Sequence, residues 1–440
     1  MAAAVPPEAF VHWFRQVAPY VHDFGGRTFV VAFGGEMVAE RARFASFIHD
    51  VNVLAALEIR LVLVHGARPQ IEAEMKAKGL RSRYAQGLRV TDEQALTAVK
   101  HAAGVLRLEI EALLSQGLPD SPMARAQIRV ASGNYITARP IGVRNGVDFQ
   151  FTGAVRKVDA GAIASHLDVG DIVLVPHLGY SATGEVFNLA WEDVAESVAI
   201  ALKADKLIMY TDRLPSHRKD EPVSELTADQ AAALAARKSN LAPAALRALE
   251  HLARAVKAGV GRGHLVTRRA PGALLLELFT HAGVGTMITA ATVETLRPAR
   301  IEDVRGIVGL IEPLEADGSL VKRSRELIEA EIGNFLVVEH DGRLVGCAAL
   351  YPFKEDRCAE FACLAVAEGY RDAGYGEDLL RACEERARSM RIRRLFALTT
   401  TAAHWFLEQG FRAASVSALP SRRQALYNWR RGSKVFAKRI

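Results

Sequence analysis

EFACLAVAEGYRDAGYGEDLL, running from Glu360 to Leu380, holds an apolar strand, a glycine turn with one arginine, and the start of a helix. In the turn, Arg371, Gly374 and Gly376 form the pattern R-x-x-G-x-G. Glycine at 374 and 376 lets the backbone turn sharply and come close to a ligand. The helix that follows presents its unpaired N–H groups and the positive end of its dipole at the same place, which suits a phosphate or pyrophosphate. A purely structural turn uses glycines too. Here the strand ahead, the helix behind and Arg371 together point to a diphosphate-bearing ligand.

Around that stretch, the chain of 440 residues is long enough for two domains. Half of the residues are hydrophobic and 24% are charged, as in ordinary globular proteins rather than disordered ones. No uninterrupted apolar run reaches membrane-spanning length, so no membrane partner is expected. MAAAVPPEAFVHWFRQ at the start lacks a basic segment followed by an apolar one, so a cytoplasmic location is expected. Cys347, Cys358, Cys363 and Cys383 fit neither a zinc spacing nor a C-x-x-C pair, which predicts buried reduced thiols and no metal. The net charge is +6 and WRRGSKVFAKRI is basic, yet no nucleic-acid-reading motif accompanies it. Small anionic ligands and a solvated basic surface account for the charge, and no nucleic acid is expected.

In chain order, Phe10, Phe14, Val17 and Val21 recur at helical spacing, with Trp13 alongside, until Gly25-Gly26. This helix reads as an N-terminal arm, residues 1–24, that joins subunits of a homo-oligomer. Strands are expected in RTFVVAFGG from Arg27, LEIRLVLVHGARPQI from Leu57, AQIRVAS from Ala126, DIVLVPHLG from Asp171 and DKLIMYTD from Asp205. Helical stretches separate them, so the class is α/β: a mostly parallel sheet covered on both faces, a three-layer αβα domain. Ala228 to Lys257 reads as helix broken at Pro243, HLVT as strand, PGALLLELFT as helix, and Thr289 to Pro298 as a linker.

Two resemblances attach to these strings. The stretch Glu360 to Leu380, with LRPARIEDVRGIVGLI (Leu296 to Ile311) and HWFLEQGF (His404 to Phe411), resembles the GCN5-related N-acetyltransferases. That implies an α+β domain over 297–440 that binds acetyl-CoA. GARPQI, LRVTDE, ALKADKLIMYTD and GVGTMI resemble the amino-acid kinase family, implying a kinase-like domain over 25–290. The family's lysine before the paired glycines is replaced by Ala32, and its N-x-N-A-D segment reads NLAWE, with Ala190 and Glu192 at altered positions. Phosphoryl transfer rests on positioned positive charge, so a catalytically retired kinase is expected. A retired kinase ahead of such a transferase resembles the bacterial N-acetylglutamate synthase family. The resemblance implies acetyl transfer from acetyl-CoA to the α-amine of L-glutamate, the first step of arginine biosynthesis, with L-arginine as inhibitor and a homo-oligomer such as a hexamer.

The resemblance also implies roles for particular residues. Glu360 is the candidate base that takes a proton from the glutamate amine. Strand alternation puts Glu360, Ala362 and Leu364 on one face and Cys363 on the other. Thr399 is the candidate acid for the thiolate, with Tyr427 as a rival donor. Acetyl-CoA is assigned to Cys363, Leu364, Val366, Arg371, Gly374, Tyr375 and Gly376, with backbone N–H groups near Cys363 and Leu364 set to hold the oxyanion. Guanidinium groups match the two substrate carboxylates, and of Arg323, Arg325 and Arg431 the favoured pair is Arg323 and Arg431, with Ser433 beside it. Inhibitory L-arginine is assigned to Tyr20, Lys203, His264, Glu277 and Gly283. Two other readings stand: transfer to a protein N-terminus or another small amine, and an arginine-binding regulatory protein without activity.

Overall fold

The computed structural model describes residues 6–116, 123–216, 223–236, 241–280, 283–290, 294–340, 343–371 and 374–440. The chain divides into two compact units, Met1–Ala291 and Thr292–Ile440.

The first unit is built on an eight-stranded sheet. Its strand order is Glu225–Thr227, Thr286–Thr289, Arg262–Thr267, Lys206–Thr211, Thr28–Phe33, Arg60–His65, Ile172–Pro176 and Val130–Ser132. Every neighbouring pair is parallel except Arg262–Thr267 with Thr286–Thr289. The central strands are apolar throughout because both faces are covered. Phe29, Val31 and Phe33 pack with the helices Arg41–Ala56, Arg68–Ala77 and Glu93–Leu114. Val30 and Ala32 face the opposite way, onto Trp191–Ala201 and Pro243–Lys257. This is the three-layer αβα arrangement that alternating β and α segments predict. Pro243 stands at the first turn of its helix, where its missing N–H leaves no bond unmade. The N-terminal helix, Pro7–Phe24, leaves Phe10, Trp13 and Phe14 exposed.

The second unit has a seven-stranded sheet in the order Glu294–Pro298, Phe335–His340, Arg343–Phe353, Cys358–Val366, Arg394–Thr399, Lys434–Arg439 and Arg412–Ala414. Its pairs are antiparallel except Cys358–Val366 with Arg394–Thr399. Helix Tyr375–Ser389 covers one face with Leu379, Leu380 and Cys383, and Val304–Ala316 covers the other with Val304, Ile307 and Ile311. All four cysteines are buried and unpaired. The linker expected at Thr289 to Pro298 is corrected here. Thr289 ends a strand of the first sheet, while Glu294–Pro298 pairs with Phe335–His340 as the edge strand of the second. A proline is tolerated at such an edge because one side of the strand needs no ladder bonds.

Candidate active site

The sheet of the second unit opens at its centre. Cys358–Val366 and Arg394–Thr399 run parallel only from Cys358↔Arg394 to Glu360↔Phe396. Beyond that point each strand continues without its neighbour, so the two splay apart. An irregularity against the other neighbour accompanies the opening, where the register shifts between Cys347 and Ala349. At this bulge Cys363 holds φ +53, a left-handed conformation uncommon for a residue with a side chain. Ala362 and Cys363 both pack with the Val304–Ala316 side, and Leu364 with the other. The expected alternation is therefore corrected. Cys363 shares a face with Ala362, and Leu364 is turned away, because the bulge inserts one residue into a period of two.

Glu360 stands where the opening begins and is 8% exposed. Arg423 grips its carboxylate with both arms, Nε to Oε2 at 2.6 Å and Nη2 to Oε1 at 3.0 Å. Across the ladder Glu360 faces Tyr351. The Tyr351 hydroxyl is buried, and burial pushes its acidity far down. Arg323 reaches the same place. Its guanidinium donates to the Val321 carbonyl at 3.1 Å and lies within the electrostatic reach of Cys363, Tyr351 and Glu360. Burial raises the Cys363 thiol to about 11, which leaves it protonated. Arg325 is exposed and pairs with Glu329 on its own helix.

Thr399, at the far end of the opening, is buried. Its Oγ1 accepts from the Ala402 N–H at 2.9 Å and the Thr401 N–H at 3.3 Å, so its own proton is left to donate. Tyr427 has no such freedom, because its hydroxyl donates to the Ser433 carbonyl at 2.6 Å. Arg431 donates to the carbonyls of Gly318 at 3.1 Å and Ser319 at 2.8 Å, and its Nε is buried with no partner among the described residues. Ser433 is buried beside it in the chain.

The glycine turn leads from Val366 through a short 3-10 turn, Glu368–Tyr370, to exposed Arg371. Residues 372–373 lie outside the described ones. Gly374, at φ +85, caps the helix Tyr375–Ser389. Tyr375 is buried, its hydroxyl 3.2 Å from His340 Nδ1. Gly376 sits in the first turn, where a Cβ would stand 3.3 Å from the Trp405 ring. The N-terminal N–H groups of a fifteen-residue helix thus flank the turn.

In the first unit the paired glycines and Gly66 border a cavity of about 270 Å³. Trp191 packs onto Gly66 so closely that a Cβ there would fall 2.5 Å from its ring. Glu192 is buried and takes a bond from Arg247 Nε at 3.4 Å. Elsewhere in this unit, Glu277 and His264 meet at 2.7 Å, and Lys206 Nζ lies 3.4 Å from the other ring nitrogen. The second Glu277 oxygen accepts from the N–H groups of Val284 and Gly285, at 2.9 and 2.7 Å. Gly283, at φ +59, passes so near that a Cβ would stand 2.7 Å from that carboxylate. Burial and the neighbouring Lys206 cation bring His264 down to about 4. Tyr20 stacks toward Phe24, and Phe24 packs on Phe279. Lys203 lies exposed in the turn after Trp191–Ala201; the lysine at His264 is Lys206.

Sequence reasoning passed over Arg423, Tyr351 and Lys206. Arg423 is one of several arginines in SRRQALYNWRR, and nothing local marks which turns inward. Among the described residues, no group of three or more His, Cys, Asp or Glu is placed to hold a metal. No described helix is long and apolar enough to cross a membrane.

Comparison with known proteins agrees with both units. The amino acid kinase family matches residues 27–263, and the acetyltransferase (GNAT) family matches residues 309–411. The amino-acid acetyltransferase of Ralstonia nicotianae is 47% identical over 442 residues, covering 100% of this chain and 98% of its own. That of Pseudomonas aeruginosa is 49% identical over 432 residues, covering 98% and 99%. The crystal structure of N-acetylglutamate synthase from Neisseria gonorrhoeae, complexed with coenzyme A and L-arginine, is 40% identical with a TM-score of 0.85, over 98% of this chain and 99% of that one. Alike over nearly its full length, the chain belongs to the amino-acid acetyltransferase family, with an amino-acid kinase fold ahead of an acetyltransferase domain.

Proposed function

We propose that this protein moves the acetyl group of acetyl-CoA to the α-amine of L-glutamate, the first step of arginine biosynthesis, and that L-arginine inhibits it. The observation that carries the reading is the splayed opening, with Glu360 at its start, Thr399 at its far end and Arg323 beside it. The similar enzyme from Neisseria gonorrhoeae has been seen with coenzyme A and L-arginine, and with coenzyme A and N-acetyl-glutamate.

The diphosphate of acetyl-CoA lies on the helix N-terminus at Gly374 to Gly376, with Arg371 alongside, and its pantetheine arm follows Val366 and Leu364. Glutamate enters as an ammonium with two carboxylates. Arg323, Arg431 and Ser433 hold these carboxylates, and Arg423 is a further guanidinium in reach. When a substrate carboxylate draws Arg423 away, Glu360 is released to take the ammonium proton. The free amine then attacks the thioester carbonyl carbon. Backbone N–H groups at the Cys363–Leu364 bulge stabilise the oxyanion. Collapse breaks the carbon–sulfur bond, the Thr399 hydroxyl gives its proton to the departing thiolate, and the second proton of the attacking nitrogen returns to Thr399, leaving the neutral amide and free thiol.

The kinase-like unit is read as retired, with Trp191 lying against the glycines that would cradle phosphate. Its role becomes sensing L-arginine at Glu277, His264 and Gly283, closed by Tyr20 from the arm. The exposed aromatic face of Pro7–Phe24 suits assembly into a cytoplasmic homo-oligomer such as a hexamer. Acetyl-CoA turnover with L-glutamate tests the reading, and excess glutamate is expected to suppress acetylation of peptides and other amines. Turnover with peptides that glutamate leaves untouched would assign another acceptor, and ATP-dependent phosphorylation of N-acetylglutamate would restore the kinase.

A further inference from the structure

Among the described residues, the buried acids follow one rule with a single departure. Glu192, Glu196, Glu277, Glu360 and Glu384 are all buried, and each meets a cation, a histidine or backbone N–H groups. Asp50 is 7% exposed, and no ion pair or hydrogen bond to its carboxylate is found among the described residues. It interrupts the apolar side of the helix Arg41–Ala56, between Phe47, Ile48 and Val51, all buried. Its carboxylate opens onto the cavity it lines rather than being sealed among apolar atoms, so a cation entering from outside the chain finds it unmatched.

Asp50 lines a cavity of about 250 Å³, together with Met37, Phe47, Tyr210, Arg43 and Arg268. The two arginines are already matched: Arg43 pairs with Glu40, and Arg268 with Glu40 and Asp212. Asp50 therefore remains the uncompensated charge of the lining. Phe47 and Tyr210 stand nearly perpendicular, 5.5 Å apart, and offer aromatic surface next to the carboxylate. A carboxylate beside aromatic rings suits a planar organic cation, which donates two hydrogen bonds on one side and makes ring contact on the other. The space is larger than a single water or inorganic ion needs. With no ligand present, burial alone holds the Asp50 carboxyl up at about 7.

We propose that this cavity is a binding site for a small guanidinium compound, with Asp50 as its counter-ion and Phe47 and Tyr210 as its aromatic walls. The site shares no residue with the Glu277 cluster, whose two carboxylate oxygens are already engaged. It therefore stands whether or not that cluster senses arginine.

The test uses the full chain with agmatine, a guanidinium without a carboxylate, and putrescine, a diamine of similar length. Calorimetric titration is expected to show agmatine binding at millimolar concentration or below, more tightly than putrescine. Asp50→Asn weakens agmatine roughly tenfold or more, since a charge-assisted pair becomes a neutral one. Glu277→Gln leaves it unchanged, and a loss there would mean agmatine sits in the other cluster. The free Asp50→Asn protein melts no lower than wild type, because an unmatched charge has been removed. Absence of agmatine binding, equal binding of putrescine, binding indifferent to Asp50→Asn, or a lower melting temperature of that variant each overturns the proposal.

Discussion

At the scale of single residues, the pairing of Glu360 with Arg423 governs what mutations will do. With both of its oxygens held by Arg423, Glu360 meets a substrate amine only once that guanidinium is drawn elsewhere. Glu360→Gln is expected to lower kcat by ~10²–10⁴-fold, the scale of a lost general base, with coenzyme A binding intact by titration. If turnover at high pH matches wild type, another group is the base. Arg423→Ala and Arg323→Ala are each expected to raise the glutamate KM, since truncating one partner of a buried charge pair costs about 2–5 kcal/mol. The two differ in one respect. Arg423→Ala also leaves Glu360 buried and unpaired, so it lowers the melting temperature of the free enzyme more than Arg323→Ala does.

At the scale of elements, the strand–turn–helix from Glu360 to Leu380 was legible because its signals are local. Apolar residues in a run, glycines, and then helical spacing need no knowledge of the rest of the chain. The same stretch shows where local reading stops. Alternation put Cys363 opposite Glu360, but the bulge against Arg343–Phe353 reverses the faces beyond Ala362. A bulge is set by two strands together and has no signature in one of them. The left-handed cap at Gly374 gives this element its own test. Gly374→Ala forces a side chain to φ +85, at about 1–2 kcal/mol of strain. Weaker coenzyme A binding at unchanged helix content by circular dichroism is expected, and equal affinity would remove the helix terminus from the site.

At the scale of the whole molecule, each unit has its own core, and acid should separate them. His65, His177 and His264 lie buried in the first unit, brought to about 3, about 4 and about 4, in each case chiefly by burial. A histidine with a depressed folded pKa stays neutral while the unfolded chain takes up a proton near 6.5. Its contribution is therefore full above that pH and is lost as pH falls toward about 4, at roughly 3 kcal/mol per histidine. Calorimetry is expected to resolve two transitions. Coenzyme A raises the one belonging to the second unit, and acidification between pH 6.5 and 4 lowers the other more. His177→Gln should flatten that acid slope. A first-unit transition that does not move across this range would place the proton uptake elsewhere.

The sequence by itself determined the two folds and their order, and made legible the replaced kinase positions, the proposed coenzyme A turn and the residue types of the candidate site. These rest on periodicity, glycine placement and short strings, which act within a few residues of one another. Tertiary structure alone decided which side chains meet. Arg423 reaches Glu360 across 63 positions, and Lys206 reaches His264 across 58. Tyr351 stands opposite Glu360 only through a strand register, and Asp50 comes to line one cavity with Tyr210 only through the packing of a helix on the sheet. Each of these depends on chain closure over long separations, where many arginines, lysines and carboxylates are equivalent in sequence and packing selects one.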